Sequence, residues 1–589
     1  MKKNMREYIL ILPLAVWIII IPIIVKMKLM PNPLSDTSWY TALDELSDFF
    51  LYYKSCAVTI VAIIMALVLC LQMRQSSDRS RWETADFRIF IPIVIYLALA
   101  ILSSMLSQYG YLCVHGMPDQ YENIWNQIAY VVALLYTYIL IRYYDRETVL
   151  IRCMYVGAIL VGVVCILQYF KLDIYRMIYA GKNVAFTFAE GTVYGPFYNT
   201  NYVGYYTLLF IPLFVLLAIC IRNIAVRVLS LTIVVALLIA LVGAGSIAGE
   251  IALAAVVLFA VVFLLVKAAG HRRWIWFVLG GILILAIGAI ASQAHRLSAY
   301  IAASDTEKTN LENIYTHDDN VEIDYCGEQL YIRMYTDNDS ISFNVTDRDG
   351  QNVDCEYAHS GTGYGYYAIT DSRYGGMTIT PAVFQEDPVC YGFIVYIDDK
   401  DWSFSDQLTA DGTYYYCTDQ KKLAKLTEDN VSDDFTPLAD KSSLASGRGY
   451  IWNKTIALLQ NYIFLGSGAD TYAVVFPNSD YVDKYNNGYD NMIIGKPHNL
   501  YLQIAVQSGV LSMICFVVFY LWYFFSGLYI FYKAAFDRPL VFIGFAMLLG
   551  TMGYMISALA NDSTIAVSPL YWILMGVGIA INQKLKKTL

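Results

Sequence analysis

Apolar blocks long enough to cross a bilayer recur along this chain, and nothing else in the sequence limits its fold so strongly. They fall at 8–25, 56–73, 87–106, 124–141, 149–170, 202–221, 226–242, 247–267, 274–292, 499–532, 540–559 and 565–581. A helix rises about 1.5 Å per residue, so roughly 20 apolar residues cover the hydrocarbon core of a membrane. The blocks lack the ten-residue alternation of a barrel strand. With 58% hydrophobic residues and a mean hydropathy of +0.48, the chain reads as an α-helical polytopic membrane protein with about twelve transmembrane helices.

The first block follows MKKNMR, Met1 to Arg6, as a secretion signal would. It is longer than a signal's apolar core and runs into Lys26 and Lys28 without a small-residue cleavage pattern, so it is read as a retained span. Every second connection is basic: Arg74, Arg79 and Arg81; Arg142, Arg146 and Arg152; Arg222 and Arg227; Lys267, Arg272 and Arg273; Lys533 and Arg538; and Lys584, Lys586 and Lys587. The positive-inside rule puts these connections and both termini in the cytoplasm, with Lys26, Lys28 and Lys182 as exceptions on the other side. The longest connection, 293–497, is then extracytoplasmic. A net charge of -9 offers no basic face to track phosphates, which excludes a nucleic-acid partner.

Four regions follow: a transmembrane region at 1–292 with about nine helices, a domain and linker at 293–446, a short segment at 447–498, and about three further helices at 499–589. Within the second, runs such as VEIDY, QLYIRMY, SISFNVTD and YGFIVYID are β-branched and Tyr-rich, and turn signals such as DNDS and DRDG separate them. They predict an extracytoplasmic β-sandwich over 320–417. Its Cys326, Cys355, Cys390 and Cys417 form an even set with three possible pairings, enough for two disulfides. DDKD at Asp398 to Asp401 lacks the spacing of a calcium loop and reads as a solvated turn. The polar stretch 421–446 reads as a linker.

The segment 447–498 is too short and too polar to span, and is expected to lie in the membrane interface or dip into it. Ile451, Trp452, Thr455, Leu458, Leu459 and Tyr462 share one helical face, and Asn453, Lys454 and Gln460 another. Arg448 offers a rigid fork of donors suited to phosphate, with Gly447 and Gly449 allowing close approach; the alternative is an interfacial arginine on lipid headgroups. Pro497 suits a first helical turn, which would set His498 and Asn499 at a helix N-terminus that attracts anions and favours a neutral imidazole able to take a proton. They read equally as a capping pair. Lys496 adds a cation beside them or snorkels. Asn199 and Asn201 would bind a sugar or cap a helix. Glu250 is an acidic residue inside an apolar block, a functional candidate by default, with Arg448 as its expected partner.

With these residues placed, "GRGYIW", "FLGSGADTY" and "HNLYLQIAVQSGVLS" together resemble the O-antigen ligase and polysaccharide polymerase family, and "GPFYNTNYVGYYTLLFIPL" resembles its Asn-Xaa-Asn helix start. Gly509 stands ten residues after the Asn, as in that family. The likeness covers nearly all the spans but not the β-rich insertion. It implies a GT-C-like membrane glycosyltransferase, independent of metal and of other cofactors, that moves a glycan from a polyprenyl-diphosphate carrier to a glycan or envelope acceptor among the membrane lipids of a bacterial cytoplasmic membrane. In that reading Arg448 holds the diphosphate, His498 stands at the reacting centre, and Lys496, Asn499, Asn199, Asn201 and Glu250 line the substrate site. Two positions depart from the pattern. Ile247, in "GAGSIAG", stands where a second diphosphate-binding arginine is expected, and Ser512 where Gly, Thr or Tyr is common. Lys496, Lys454 or another cation would have to compensate for Ile247, or the chain is an inactive glycan-binding relative. A transporter or flippase for the same lipid-linked glycan is the competing class, but apart from Glu250 the spans carry few of the midplane charges that class needs.

Overall fold

The computed structural model describes residues 2–75, 84–179, 188–268, 310–337, 340–359 and 365–589. Among them, nine helices are long and apolar enough to cross a membrane. A shorter apolar helix, Ile9–Ile23, precedes them. The last helix, Ser568–Lys586, ends in two lysines and is almost wholly enclosed by its neighbours. Expected spans thus appear as helices along the described chain, while the one at 274–292 and the exception at Lys182 lie outside the described residues. Ile124–Tyr144 packs along Ser568–Lys586, and Thr200–Cys220 along Pro539–Ser557 and Ile224–Ala244. Trp17, fully buried, donates from Nε1 to the Pro569 carbonyl at 3.0 Å and so ties the first helix to the last.

One expected span is two helices. The block at 499–532 divides into Leu500–Ser508 and Val510–Lys533, because Gly509 has φ +98° and cannot continue either. Hydropathy runs straight through this break, so the apolar pattern alone does not register it.

The β-rich region has two antiparallel sheets. Leu311–Thr316, Val321–Tyr325, Glu328–Asp337 and Ser340–Asp347 make a four-stranded meander. Seven strands from Cys355–His359 to Leu423–Ala424 make a second, in chain order. Every second residue turns inward, as Val321, Ile323 and Tyr325 do on one sheet and Phe393, Val395 and Ile397 on the other, and the two faces share one core around Trp402 and Tyr414. The expected disulfides are absent: Cys326, Cys355, Cys390 and Cys417 are all free thiols. In the register Cys355 lies opposite Ile369, Cys390 opposite Gln385 and Cys417 opposite Leu423, while Cys326, in the turn between Val321–Tyr325 and Glu328–Asp337, donates to the Asn310 side chain.

The domain is seated firmly on one end of the helical bundle. Lys422 Nζ donates to the carbonyls of Thr37 and Tyr40 at 2.7 and 2.9 Å, in the loop after the first helix. The stretch 421–446 is likewise no free linker. Leu426 sits in the β core, Ser432 donates to Asp480, and Asp434 pairs with Lys454 at 2.7 Å.

Candidate functional site

At the domain-bearing end, Arg448–Leu458 forms a short helix whose first residue is Arg448. Asn453 and Lys454, on the second face of this helix, are buried. Lys454 bridges Asp434 at 2.7 Å and Asp483 at 2.8 Å, and Asn453 donates to Asp434, so their polarity serves to fasten the 432–434 stretch to the helix. Two partners and burial also remove Lys454 as a stand-in for the arginine that Ile247 replaces. Arg448 Nη1 donates to the Ala445 carbonyl at 3.0 Å, and the neighbouring Gly447 carbonyl accepts from Tyr489.

The loop after this helix closes the Leu500–Ser508 helix. Ser467 N and Gly468 N donate to the Val506 and Gln507 carbonyls at 2.9 Å, satisfying the last turn of that helix. A side chain at Gly466 would stand 2.1 Å from the Gln507 backbone, so the two chains meet only because position 466 is glycine. Trp452 Nε1 donates to the Pro497 carbonyl at 2.9 Å. The Trp and the glycine-rich turn thus hold the ground on which His498 stands.

His498 is not in the first helical turn. The helix begins at Leu500, Asn499 is its N-cap, and the Asn499 side chain takes up the N–H groups of Tyr501 and Leu502. The helix end is therefore occupied, and the group that meets the imidazole is a carboxylate. His498 Nδ1 lies 3.1 Å from Asp562 Oδ2, while Asp562 Oδ1 accepts from the Asn499 N–H at 3.1 Å. Asp562 is buried and His498 is 40% exposed, so the acid orients the ring from behind and the ring faces open space. His498 also adopts φ +50°, a left-handed conformation that a non-glycine residue keeps only where its surroundings impose it. The bonds to Pro497, Asn499 and Asp562 impose it here.

That open space is a cavity of about 310 Å³, of a size typical of ligand sites. His498, Lys496, Asn199, Asp119, Tyr202 and Tyr489 are among its walls. Lys496 Nζ donates to the Asp119 carbonyl at 3.0 Å and to the Tyr202 hydroxyl at 3.2 Å. Burial works against its charge, yet Tyr202 and Asp562 outweigh burial and hold its pKa above the ordinary lysine value. Lys496 is thus a fixed cation facing the same space as His498. Asn199 is the N-cap of Thr200–Cys220, and the loop before it is anchored by Lys54, whose Nζ donates to Pro196, Ile24 and Phe50 carbonyls.

Of the residues expected at the site, His498, Lys496 and Asn199 line the cavity, while Asn499, Asn201, Arg448 and Glu250 do not. Asn499 stands behind His498 as its cap, and Asn201 accepts from the Ser246 hydroxyl at 3.0 Å. Ile247 opens the helix Ile247–Ala268 directly after Ser246, and Glu250 occupies its first turn. Arg448 lies beside Tyr489, a cavity wall, and eases the phenol's ionisation against the larger opposing effect of burial.

Residues 412–517 match the family model for O-Antigen ligase. The O-antigen ligase match takes in Arg448, Trp452, the glycine-rich turn, Lys496, His498 and Gly509, the residues that build one wall of the cavity and its support. No curated protein and no solved structure matched the chain.

Several acids within and around the matched segment escape sequence reasoning. Asp562 is 64 residues from His498 in a short connection, with no motif to flag it. Glu122 and Asp470 are fully enclosed. Burial pushes Glu122 up to about 7, opposed by hydrogen bonds from Tyr130 and Ser563, and pushes Asp470 up to about 8, opposed by the Met117 N–H. Asp470 Oδ2 accepts from the N–H groups of Met117 and Glu122, fixing the loop that carries Asp119 into the cavity. The one available signal is their position, a carboxylate in a polar break between apolar blocks.

Proposed function

We propose that this chain is a glycosyltransferase of a bacterial cytoplasmic membrane that moves a glycan from a polyprenyl-diphosphate carrier to an acceptor hydroxyl at the extracytoplasmic face. The β domain and the cavity then lie outside, and the alternation of basic connections supports that sidedness. The observation that carries the reading is the ring of His498, oriented by buried Asp562 and sharing a cavity with the fixed cation Lys496, both residues within the segment that matches the O-antigen ligase family.

The chemistry follows from these groups. With Nδ1 turned to Asp562, Nε2 of a neutral His498 accepts the proton of an acceptor hydroxyl as its oxygen attacks the anomeric carbon. The bond from that carbon to the diphosphate oxygen breaks, and the electron pair leaves with the diphosphate. Lys496 on the cavity wall, with Arg448 near its rim, meets the negative charge that grows there. Lys496 supplies the second cation that Ile247 does not. A mouth at the membrane surface suits a donor whose tail stays in lipid and whose sugar meets water.

The test uses cells whose only copy carries His498→Ala or Arg448→Ala, with expression and insertion verified. The expected result is loss of glycan polymer or attachment, with undecorated lipid-linked units gathering on the extracytoplasmic side. Units gathering on the cytoplasmic side would instead indicate a flippase, and unchanged glycan would leave a binding protein.

A further inference from the structure

A second cleft opens where the β domain meets the bundle, and its walls contain a lysine with no partner. Lys484 is 2% exposed, and among the described residues its ammonium makes no hydrogen bond and no ion pair. Its nearest rival for carboxylates, Lys400, takes Asp490 at 3.4 Å and Asp419 at 3.9 Å. The side chain is enclosed and its ammonium opens on the cleft, so with no protein acceptor among the described residues a ligand seated there is what completes it. Burial, with the charge of Lys400 beside it, pushes the Lys484 pKa down to about 8 against the opposing pull of Asp480 and of Asp490, which also lines the cleft.

The remaining walls have the chemistry of sugar recognition. Trp39 supplies an aromatic surface, Asp419 a half-exposed carboxylate, and Gln420 and Asn491 amides. The cleft is small, about 50 Å³, which admits the edge of a sugar rather than a whole ring. It is also pre-formed. Lys422 holds the loop of Ser38 and Trp39 through the carbonyls on either side, and Tyr481 donates to the Ser38 hydroxyl at 3.0 Å. Met492 and Ile493 line both this cleft and the cavity of His498, and Trp39 and Tyr40 point one to each, so the two spaces are neighbours across a single wall.

We propose that this cleft is a subsite for the acceptor glycan, in which Lys484 donates to sugar oxygens, Asp419 accepts from sugar hydroxyls and Trp39 packs on the C–H face. The mixed charge of the walls favours an uncharged, hydroxyl-rich sugar over an anionic one. A glycan held here reaches the cavity from the β-domain side, on a site that joins Trp39 of the loop after the first helix to Asp419, Gln420, Lys484 and Asn491 of the matched segment. The proposal rests on the transferase reading for the glycan's role, but its own content is a binding site.

The test is calorimetric titration of the full-length protein in detergent with oligosaccharide released by mild acid from the lipid-linked pool of the same cells. The wild type is expected to bind, and Lys484→Gln and Trp39→Leu each to weaken binding by roughly tenfold to a hundredfold, the loss of a charged donor or an aromatic platform. Lys484→Met is expected to lose binding while melting no lower than the wild type, since it removes an unpaired buried charge. Wild-type affinity in the Lys484 variants, or no binding by the wild type, would overturn the proposal. Normal surface glycan from cells carrying His498→Ala would instead strike at the transferase reading and leave the binding result to stand or fall alone.

Discussion

The β domain and the segment 447–498 bury their residues by opposite rules. Inside the domain the core is Val, Ile, Leu, Phe, Tyr and Trp, and its enclosed polar groups are few, Asp347 being the charged one. The segment that leads to His498 is half as long, yet encloses Lys454, Asp470, Asp480 and Lys484. Apolar burial stabilises a fold by roughly 25 cal/mol per Å², whereas enclosed charge does so only with ideal partners. The domain is therefore built to hold its shape, and the segment to hold charges where water would otherwise disperse them. Lys454 has its two carboxylates and acts as a fastener; Lys484 and Lys496 have neutral partners or none and face open clefts.

Substitutions can break that contrast. The largest effect is expected from His498→Ala, which should lower transfer by about 10²- to 10⁴-fold, the ordinary worth of a general base, while the melting temperature stays put. A folding defect of equal size would make the histidine structural. Trp402→Ala should do the reverse, destabilising the β domain by roughly 3–5 kcal/mol by limited proteolysis or thermal melting. Next, Asp562→Asn keeps the shape of the contact to His498 but favours the wrong tautomer, and transfer should fall on the order of 10²-fold with donor binding unchanged.

A further effect concerns pH. Asp470 holds its proton up to about pH 8 when folded, against about 4 for an unfolded aspartate. Between those values the folded state binds the proton that the unfolded state has lost, so stability falls as pH rises from about 4 to about 8 and then levels off. Asp470→Asn should flatten that slope in part, leaving the share of Glu122, which ends near pH 7. A slope unchanged by the substitution would mean that Asp470 is already ionised in the fold.

Local chemistry made much of this legible. Apolar blocks marked helices because a bilayer accepts little else, and Tyr- and Val-rich runs between DNDS and DRDG marked strands. What stayed hidden depends on distant partners. Lys454 reads as a cation free to replace the one missing at Ile247 because Asp434 and Asp483 lie 20 and 29 residues away, and His498 reads as a helix-end residue because Asp562 arrives from another connection. The break at Gly509 was invisible to hydropathy, since the backbone of 462–468 supplies the partners that the divided helix needs.

The most direct test of the central claim is to follow the donor's diphosphate bond in sealed vesicles holding the purified protein, the lipid-linked glycan and an acceptor. Free polyprenyl diphosphate is expected to be released one for one with glycan joined to the acceptor, and almost none with His498→Ala. Glycan that crosses the membrane with its diphosphate bond intact, or release by His498→Ala at the wild-type rate, would contradict the claim.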